Sequence, residues 1–525
     1  MNEFIAKYEN QISGAISGFD RLVFRGNLRS LVHERGMKSY LWQNQVLLKE
    51  FGQHAKATSD RLKAASVERV EKLGGAVKYL PASQDKDAVA RRVMLDEKIA
   101  SGPVCLIKSV EPCWSYDIHR SREHKKLELV KRPRQCLFLY CYQIHPVFGF
   151  MNARIQTWFP FPVQICLNGR EWLARQMDRE GLEYVRQDNC FPWLANYERA
   201  QQLLQAQLEV SWPELLQGVA DELNPLHQEI FAKFPAQYYW STYQSEWATD
   251  VVFRETAVLQ RLYPLLVHHG LISFSSPDVM RFLGRKIPLD GRIPSRLAAE
   301  LTSDVKRRQE GVRIKHRLGG NSIKLYDKAF TVVGNVLRGE TTIHNVADFR
   351  VYRPKEGDEE QKLDWRPMRR GIADLHRRAE VSQKANDRYF TALACVDDSA
   401  TVQELTEGLA KPASWNGKRV RALRPWASGD VALLQAVNRG EFTLNGLRNR
   451  DLQALLFTTP AGSAVEKRRR SAAVSRLLRL LRAHGLIQKV PRTHRYQVTT
   501  AGRKAITALQ TARQATLAQL SSLAA

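Results

Sequence analysis

Residues 471–503 leave few folds open, because their apolar spacing changes period abruptly. In SAAVSRLLRLLRAHGLI (471–487), Val474, Leu477, Leu478, Leu481 and Leu486 fall near one helical face. Arg476, Arg479 and Arg482 fall largely outside that stripe, and Gly485 is the residue type that ends helices. In QKVPRTHRYQVTTAGR (488–503) the period shortens. Val490, Tyr496 and Val498 can share an inner face, while Lys489, Arg492, His494 and Arg495 crowd a tip. Upstream, residues 430–437 and 447–457 can supply two more helices. The pattern predicts helices followed by a β-hairpin at the end of the chain.

The same region is one-sided in charge. From Lys467 onward there are 13 Lys and Arg and no Asp or Glu. From Thr401 onward there are 21 basic and 6 acidic residues, which is 15 of the formal net charge of +26. Such an excess repels itself, and a polyanion relieves it. The expected phosphate contacts are Lys467, Arg468, Arg469, Arg470, Arg476, Arg479, Arg482, Lys489, Arg492, His494 and Arg495, with Lys418, Arg419 and Arg421 from the preceding segment. The order and lengths of these elements resemble the MarR-like winged helices of bacterial DNA-binding proteins. That resemblance covers residues 426–525 and implies a winged helix that contacts DNA or RNA.

At 525 residues the chain is expected to form about two to four domains. Seven cysteines with no CxxC pair argue against a disulfide framework and against structural zinc. No apolar run approaches the roughly 20 residues of a membrane span, and the first residues lack a signal-peptide core. The expectation is a cytoplasmic protein without a membrane partner.

The expected fold class is α/β to α+β multidomain, a mixed α/β and β-rich body with a C-terminal winged helix. The expected division is an α/β domain (1–130), a β-rich and helical body (131–355), a helical connector with a basic linker at 411–426 (356–425), and the winged helix (426–525). Within it we expect a strand or strand pair at 15–24, one long helix at 37–73, strands through 127–167, and a helix at 170–179 capped by Asn168. Further on come an extended run at 238–253, two short helices at 256–283 with the second starting in SSPD (275–278), strands at 311–317 and 322–327, and a loop at 352–366.

A reaction centre is suggested by NSIKLYDK (321–328) and VLRGETTIHN (336–345), which would put Tyr326, Asp327 and Glu340 on neighbouring strands. Paired carboxylates, Asp327 and Glu340, supply the oxygen ligands that Mg²⁺ or Mn²⁺ needs. A tyrosine or a metal-bound water beside them could attack phosphorus, with Lys324, Lys328 and Arg338 offsetting charge. These segments are similar to the YDK and RxE strands of rolling-circle replication initiators, including plasmid Rep and filamentous-phage gene II proteins. The resemblance implies DNA nicking in a replicating or mobile element. The His-hydrophobe-His metal motif of many such proteins is absent: His268 and His269 are adjacent, and His145 stands alone.

A third candidate acid is Asp20 in GFDRLVFRG. With Glu246 and Asp250 in QSEWATD it resembles the way ribonuclease-H-like nucleases hold two metals. Trp158, Phe159 and Phe161 beside Arg154, and Tyr238, Tyr239, Trp240 and Tyr243, could stack unpaired bases or build core. The expected function is nucleic-acid binding, of mobile-element or replication type. The alternatives are a metal-dependent nuclease or nicking enzyme acting on DNA, and an RNA-binding scaffold. The whole chain resembles a group of uncharacterised bacterial proteins, which implies no activity.

Overall fold

The computed structural model of the chain describes residues 1–516 other than 122, 124, 273, 275–278, 281, 285–300, 309–310, 329–333, 356–362, 395–401, 440–441, 443–445, 458 and 492. At 272, 301–308, 311–312, 500, 511 and 514 it describes the backbone alone.

The strands are β1 (Ile12–Leu28), β2 (Ala76–Tyr79), β3 (Gly102–Arg120), β4 (Leu127–His145), β5 (Gly149–Gln156), β6 (Val163–Asn168), β7 (Tyr184–Gln187), β8 (Cys190–Leu194), β9 (Tyr238–Phe253), β10 (Leu301–Arg308), β11 (Gly311–Leu318), β12 (Asn321–Asp327) and β13 (Val336–Ile343). All but β7 and β8 join one 11-stranded sheet, in the order β10-β11-β12-β13-β9-β1-β6-β5-β4-β3-β2. Its pairs are antiparallel except β2–β3. The expected division at 130/131 falls inside the β3–β4 hairpin, where Lys131 pairs with Tyr116, so one sheet crosses that point.

Strand alternation decides which face is dry. On β9, Trp247, Thr249 and Val251 face one way and Glu246, Ala248 and Asp250 the other. The first face is covered by the helix Leu375–Leu393, whose Tyr389 and Phe390 are fully buried. A Cβ at Gly339 would lie 2.5 Å from the Phe390 ring, so only glycine lets the helix sit that close to β13. On the same side, Leu106, Leu139, Ile155 and Ile165 form a core with the helices Phe51–Lys72 and Trp212–Leu223. The opposite face is polar at β1, β9 and β13. Toward β3 and β4 it becomes apolar and packs against the helix Lys86–Asp96.

Several expectations change in detail. The strand at 15–24 is part of one 17-residue strand. The long helix at 37–73 is two helices, Glu34–Gln43 and Phe51–Lys72, because Gln45 turns the chain in a left-handed conformation (φ 58°). In place of two short helices, Thr256–Ile272 continues through Pro264, and the SSPD start lies outside the described residues. The loop at 352–366 holds parts of two paired strands, β14 (Arg350–Arg353) and β15 (Asp364–Pro367), with Val351 buried beside Phe349 and Met368. The basic linker contains a hairpin, β16 (Ala413–Trp415) with β17 (Lys418–Val420). It turns on Asn416 and Gly417, both at positive φ, the conformation that an Asn-Gly pair adopts readily.

The C-terminal region has its own core, built by residues from Leu409 to Leu509. The helices Ser428–Val437, Asn449–Leu456, Ala464–Ala483 and Thr500–Gln514 surround it, with a hairpin of β18 (Ile487–Lys489) and β19 (Tyr496–Val498). Leu447 adds an antiparallel bridge to Tyr496. The helix expected from Ser471 begins at Ala464, where the Ser463 side chain caps it by accepting the Glu466 N–H. Lys467–Arg470 therefore ride on its first turns. Val474, Leu478 and Leu481 are buried as the spacing implied, and Gly485 follows the helix at φ 68°. No helix among the described residues is long and apolar enough to cross a membrane.

Candidate metal centre and nucleic-acid surfaces

The centre begins with a slip in strand pairing. On β1 and β9, Phe19 faces Trp247, but Arg21 faces Glu246, so Asp20 is an extra residue in β1. Such a bulge re-aims one side chain. Asp20 is turned toward the face that carries Glu246 and Asp250. From β13, Arg338 lies opposite Asp250 and Glu340 opposite Ala248. From β12, Lys324 lies opposite Glu340 and Tyr326 opposite Arg338. The helix Gly169–Glu180 starts directly after β6, with Asn168 as its cap. A Cβ at Gly169 would meet the Phe19 carbonyl oxygen at 1.9 Å, so glycine permits the close approach that delivers Arg170 to the centre.

Buried charges here are paired, as burial demands. Arg338, fully buried, donates from Nε to Asp250 (2.5 Å) and from Nη2 to Asp250 (2.8 Å) and to the Asn189 carbonyl (2.6 Å). Its Nη1 lies 3.3 Å from Asp20. Arg170, also fully buried, reaches Asp250 at 2.9 Å and donates to the Ala248 carbonyl. Its Nε lies 3.9 Å from Asp20. Burial pushes the Asp250 carboxyl up, but Arg170 and Arg338 together outweigh it and hold the group below its ordinary value. Asp20 goes the other way. Burial lifts its carboxyl above the ordinary value, Glu340 adds to the lift, and Arg338, Arg170 and Lys328 only partly oppose it.

Asp20, Glu246 and Glu340 each offer an oxygen, and those oxygens lie within 4.8 Å of one another. Three carboxylate oxygens from three strands match the donor set of a hard divalent cation. The lifted carboxyl of Asp20 means that added positive charge would favour its ionised form. Thr342, opposite Glu246 on β13, is buried and its hydroxyl makes no hydrogen bond among the described residues, so one more oxygen lies nearby. These residues fit Mg²⁺ or Mn²⁺. Lys324 already pairs with Glu340 and with Glu246 (3.3 Å), and those carboxylates outweigh its burial and hold its ammonium above the ordinary value.

The residues expected from the YDK and RxE segments separate. Glu340 joins the centre. Asp327 does not: it pairs with Leu337 on the opposite face of β12, near Tyr263, and adjacent strand residues cannot share a face. The expected Asp327–Glu340 metal pair is thus not assembled, and Asp20 and Glu246 stand with Glu340 instead. Tyr326 is on the right face but buried. Burial first, then Glu340, pushes its phenol up, which keeps the proton on a group that would need to lose it to attack phosphorus. Lys328 donates to the Asn189 side chain (2.9 Å), and Asn189 in turn donates to Asp20 (3.0 Å).

The centre opens into a cleft of about 990 Å³ with Asp20 and Glu246 in its lining and Arg21, Lys86, Arg91, Arg154 and Lys328 around them. Lys86 and Arg154 both pair with Glu111, at 3.2 Å each. Of the aromatic runs, Phe159, Phe161, Tyr238 and Trp240 are core. Trp158 donates to the Tyr116 carbonyl and lies under Arg134. Tyr239 and Tyr243 face outward, each beneath an arginine.

In the C-terminal region, Lys467, Arg468, Arg469, Arg476, Arg479, Lys489, His494, Lys418 and Arg419 are exposed. Others are engaged. Arg470 binds Glu466 and the Thr459 carbonyl, Arg482 stacks over Trp415 (4.4 Å), and Arg495 reaches the Gly446 carbonyl. Arg421 grips Asp430 with two bonds, at 2.6 and 2.7 Å. Arg492 lies outside the described residues. A groove of about 490 Å³ between the helices Asn449–Leu456 and Ala464–Ala483 and the hairpin is lined by Arg448, Asn449, Arg450, Ser475, Lys489 and His494. Arg448 and Arg450 escape a reading of the sequence because they sit at the cap and first turn of the helix before the basic run. No family model, curated protein or solved structure matches the chain.

Proposed function

We propose that the chain binds nucleic acid and hydrolyses its backbone at the Asp20–Glu246–Glu340 centre with Mg²⁺ or Mn²⁺. The observation that carries this reading is the convergence of three carboxylates at a cleft that two of them, Asp20 and Glu246, line, with cations around it. In the reaction, water adds to phosphorus, one P–O ester bond breaks, and the departing oxygen takes a proton. A bound divalent ion supplies activation of that water and stabilisation of charge on the phosphate. Asp20, Glu246 and Glu340 would hold it. Arg170 and Arg338 fix Asp250 and Asp20 in place, and Lys328 offers positive charge toward the phosphate. The C-terminal region acts as a winged-helix module whose unopposed cations grip the backbone. The similarity of β12 and β13 to replication-initiator strands makes DNA of a replicating or mobile element the first substrate to test.

A second reading rests on Lys324. Its ammonium already bridges Glu246 and Glu340, as a structural ion-pair network would require. On that reading the chain binds and does not cut. End-labelled single-stranded and duplex DNA and RNA, incubated with Mg²⁺, Mn²⁺ or chelator, separate the two. The proposal expects cleavage that chelation abolishes and that Glu340→Gln and Asp20→Asn remove while binding persists. A chain that binds these substrates and cuts none, or whose cutting survives both substitutions, overturns it.

A further inference from the structure

Beyond Arg21 the polar face of β1 and β9 carries a second constellation. Pairing slips again between Val23 and Phe24, and here Tyr243 of β9 is the extra residue. The Arg25 guanidinium lies over the Tyr243 ring at 4.1 Å, and Arg29 lies over Tyr239 at 3.4 Å. His344 packs edge-on against Tyr243, with ring centres 4.6 Å apart. Arg370 is delivered by a segment that bonds to β9, where the Thr242 N–H donates to its carbonyl. Among the described residues, Arg25, Arg29 and Arg370 form no ion pair with a carboxylate. This differs from the rim of the cleft, where Lys86, Arg91 and Arg154 all have acidic partners. The positive charge is also crowded. Burial first, then Arg154 and Arg370 nearby, hold the Arg25 guanidinium below its ordinary value despite the Tyr243 hydroxyl.

We infer that Arg25, Arg29, Arg370, Tyr239, Tyr243 and His344 form a track for unpaired nucleic acid running from the carboxylate centre. Arg25 lies five residue steps along the strand from Asp20, about 17 Å. The geometry favours single strands for a chemical reason. A guanidinium beside an aromatic ring combines a surface on which a base can stack with a charge that meets phosphate. Bases in a duplex are already stacked and cannot. An acidic peptide would satisfy the cations and leave the stacking surface unused. The inference rests on the proposed nucleic-acid binding and is independent of cleavage.

The test uses the full chain in chelator, so that nothing is cut. A labelled single strand and the duplex of the same sequence are titrated, in DNA and in RNA form. Arg25→Gln with Arg370→Gln should weaken single-strand binding about tenfold or more and leave duplex binding unchanged. Arg370→Gln alone, at an exposed position, should weaken single-strand binding in the same selective way if the double variant is unstable. Equal losses for both forms, or no loss in a folded variant, overturn the track. A native chain that binds neither DNA nor RNA overturns the track and the proposed function together.

Discussion

The polar centre of the sheet and the C-terminal helix Ala464–Ala483 use arginine in opposite ways. In the centre, Arg170 and Arg338 are fully buried, and each guanidinium is held by Asp250 and by a backbone carbonyl. On the helix, Arg468, Arg469, Arg476 and Arg479 are exposed, and after Glu466 the chain contains no acid. Buried cations need partners because desolvation is expensive, so removing one partner is costly. Exposed cations need none, and their mutual repulsion is relieved only by an external polyanion. Charge that is internally balanced shapes the molecule. Charge left unbalanced is available to something outside it.

The comparison breaks most visibly at Asp250. Asp250→Asn leaves two buried guanidinium groups short of an anion and should cost about 3–5 kcal/mol of stability, read by denaturant unfolding. The sign with pH follows from the carboxyl being held below its ordinary value. The native stabilisation is present above the unfolded carboxylate value of about 4 and is lost as pH falls through the lower folded value. The variant should therefore lose much of the acid limb of the native stability curve. A native-like curve would mean that Asp250 is not the anchor described here.

The smaller effect is expected at the other region. Replacing Lys467, Arg468, Arg469, Arg476 and Arg479 by Gln should change stability by no more than about 0.5 kcal/mol per site. The same variant should flatten the dependence of DNA affinity on salt, by about 0.9 in the log–log slope for each phosphate that is no longer neutralised. If stability falls steeply instead, these cations are structural and the contrast fails.

Much of this was legible from local pattern. Strand β9 spans Tyr238–Phe253, the run expected to be extended, and the helix after Asn168 starts at its cap because a side-chain oxygen there satisfies the first free N–H groups. The C-terminal helices and hairpin lie near where period and punctuation placed them, but the long helix starts seven residues earlier, at Ala464, and residues 500–503 of the expected hairpin open the helix Thr500–Gln514 instead. The site was legible only in pieces. Asp20, Glu246 and Glu340 each stand out in sequence, but their convergence depends on a one-residue slip between strands far apart in the chain. No local spacing reports that slip. Asp327 could have been set aside from alternation alone, since Lys324 and Tyr326 occupy one face of β12 and Asp327 the other. Arg170 gave no signal, because its role comes from Gly169 pressing against the Phe19 carbonyl. The Asn416–Gly417 hairpin was available from a familiar turn pair and was hidden by the surrounding cations.

The most direct measurement is a Mn²⁺ titration of the intact chain followed by electron paramagnetic resonance, with Glu340→Gln and Asp20→Asn measured beside it. The native protein should show a Mn²⁺ site that both substitutions weaken at least tenfold while the fold is retained. Equal Mn²⁺ binding by all three chains, or none by the native one, would contradict a metal centre at these carboxylates.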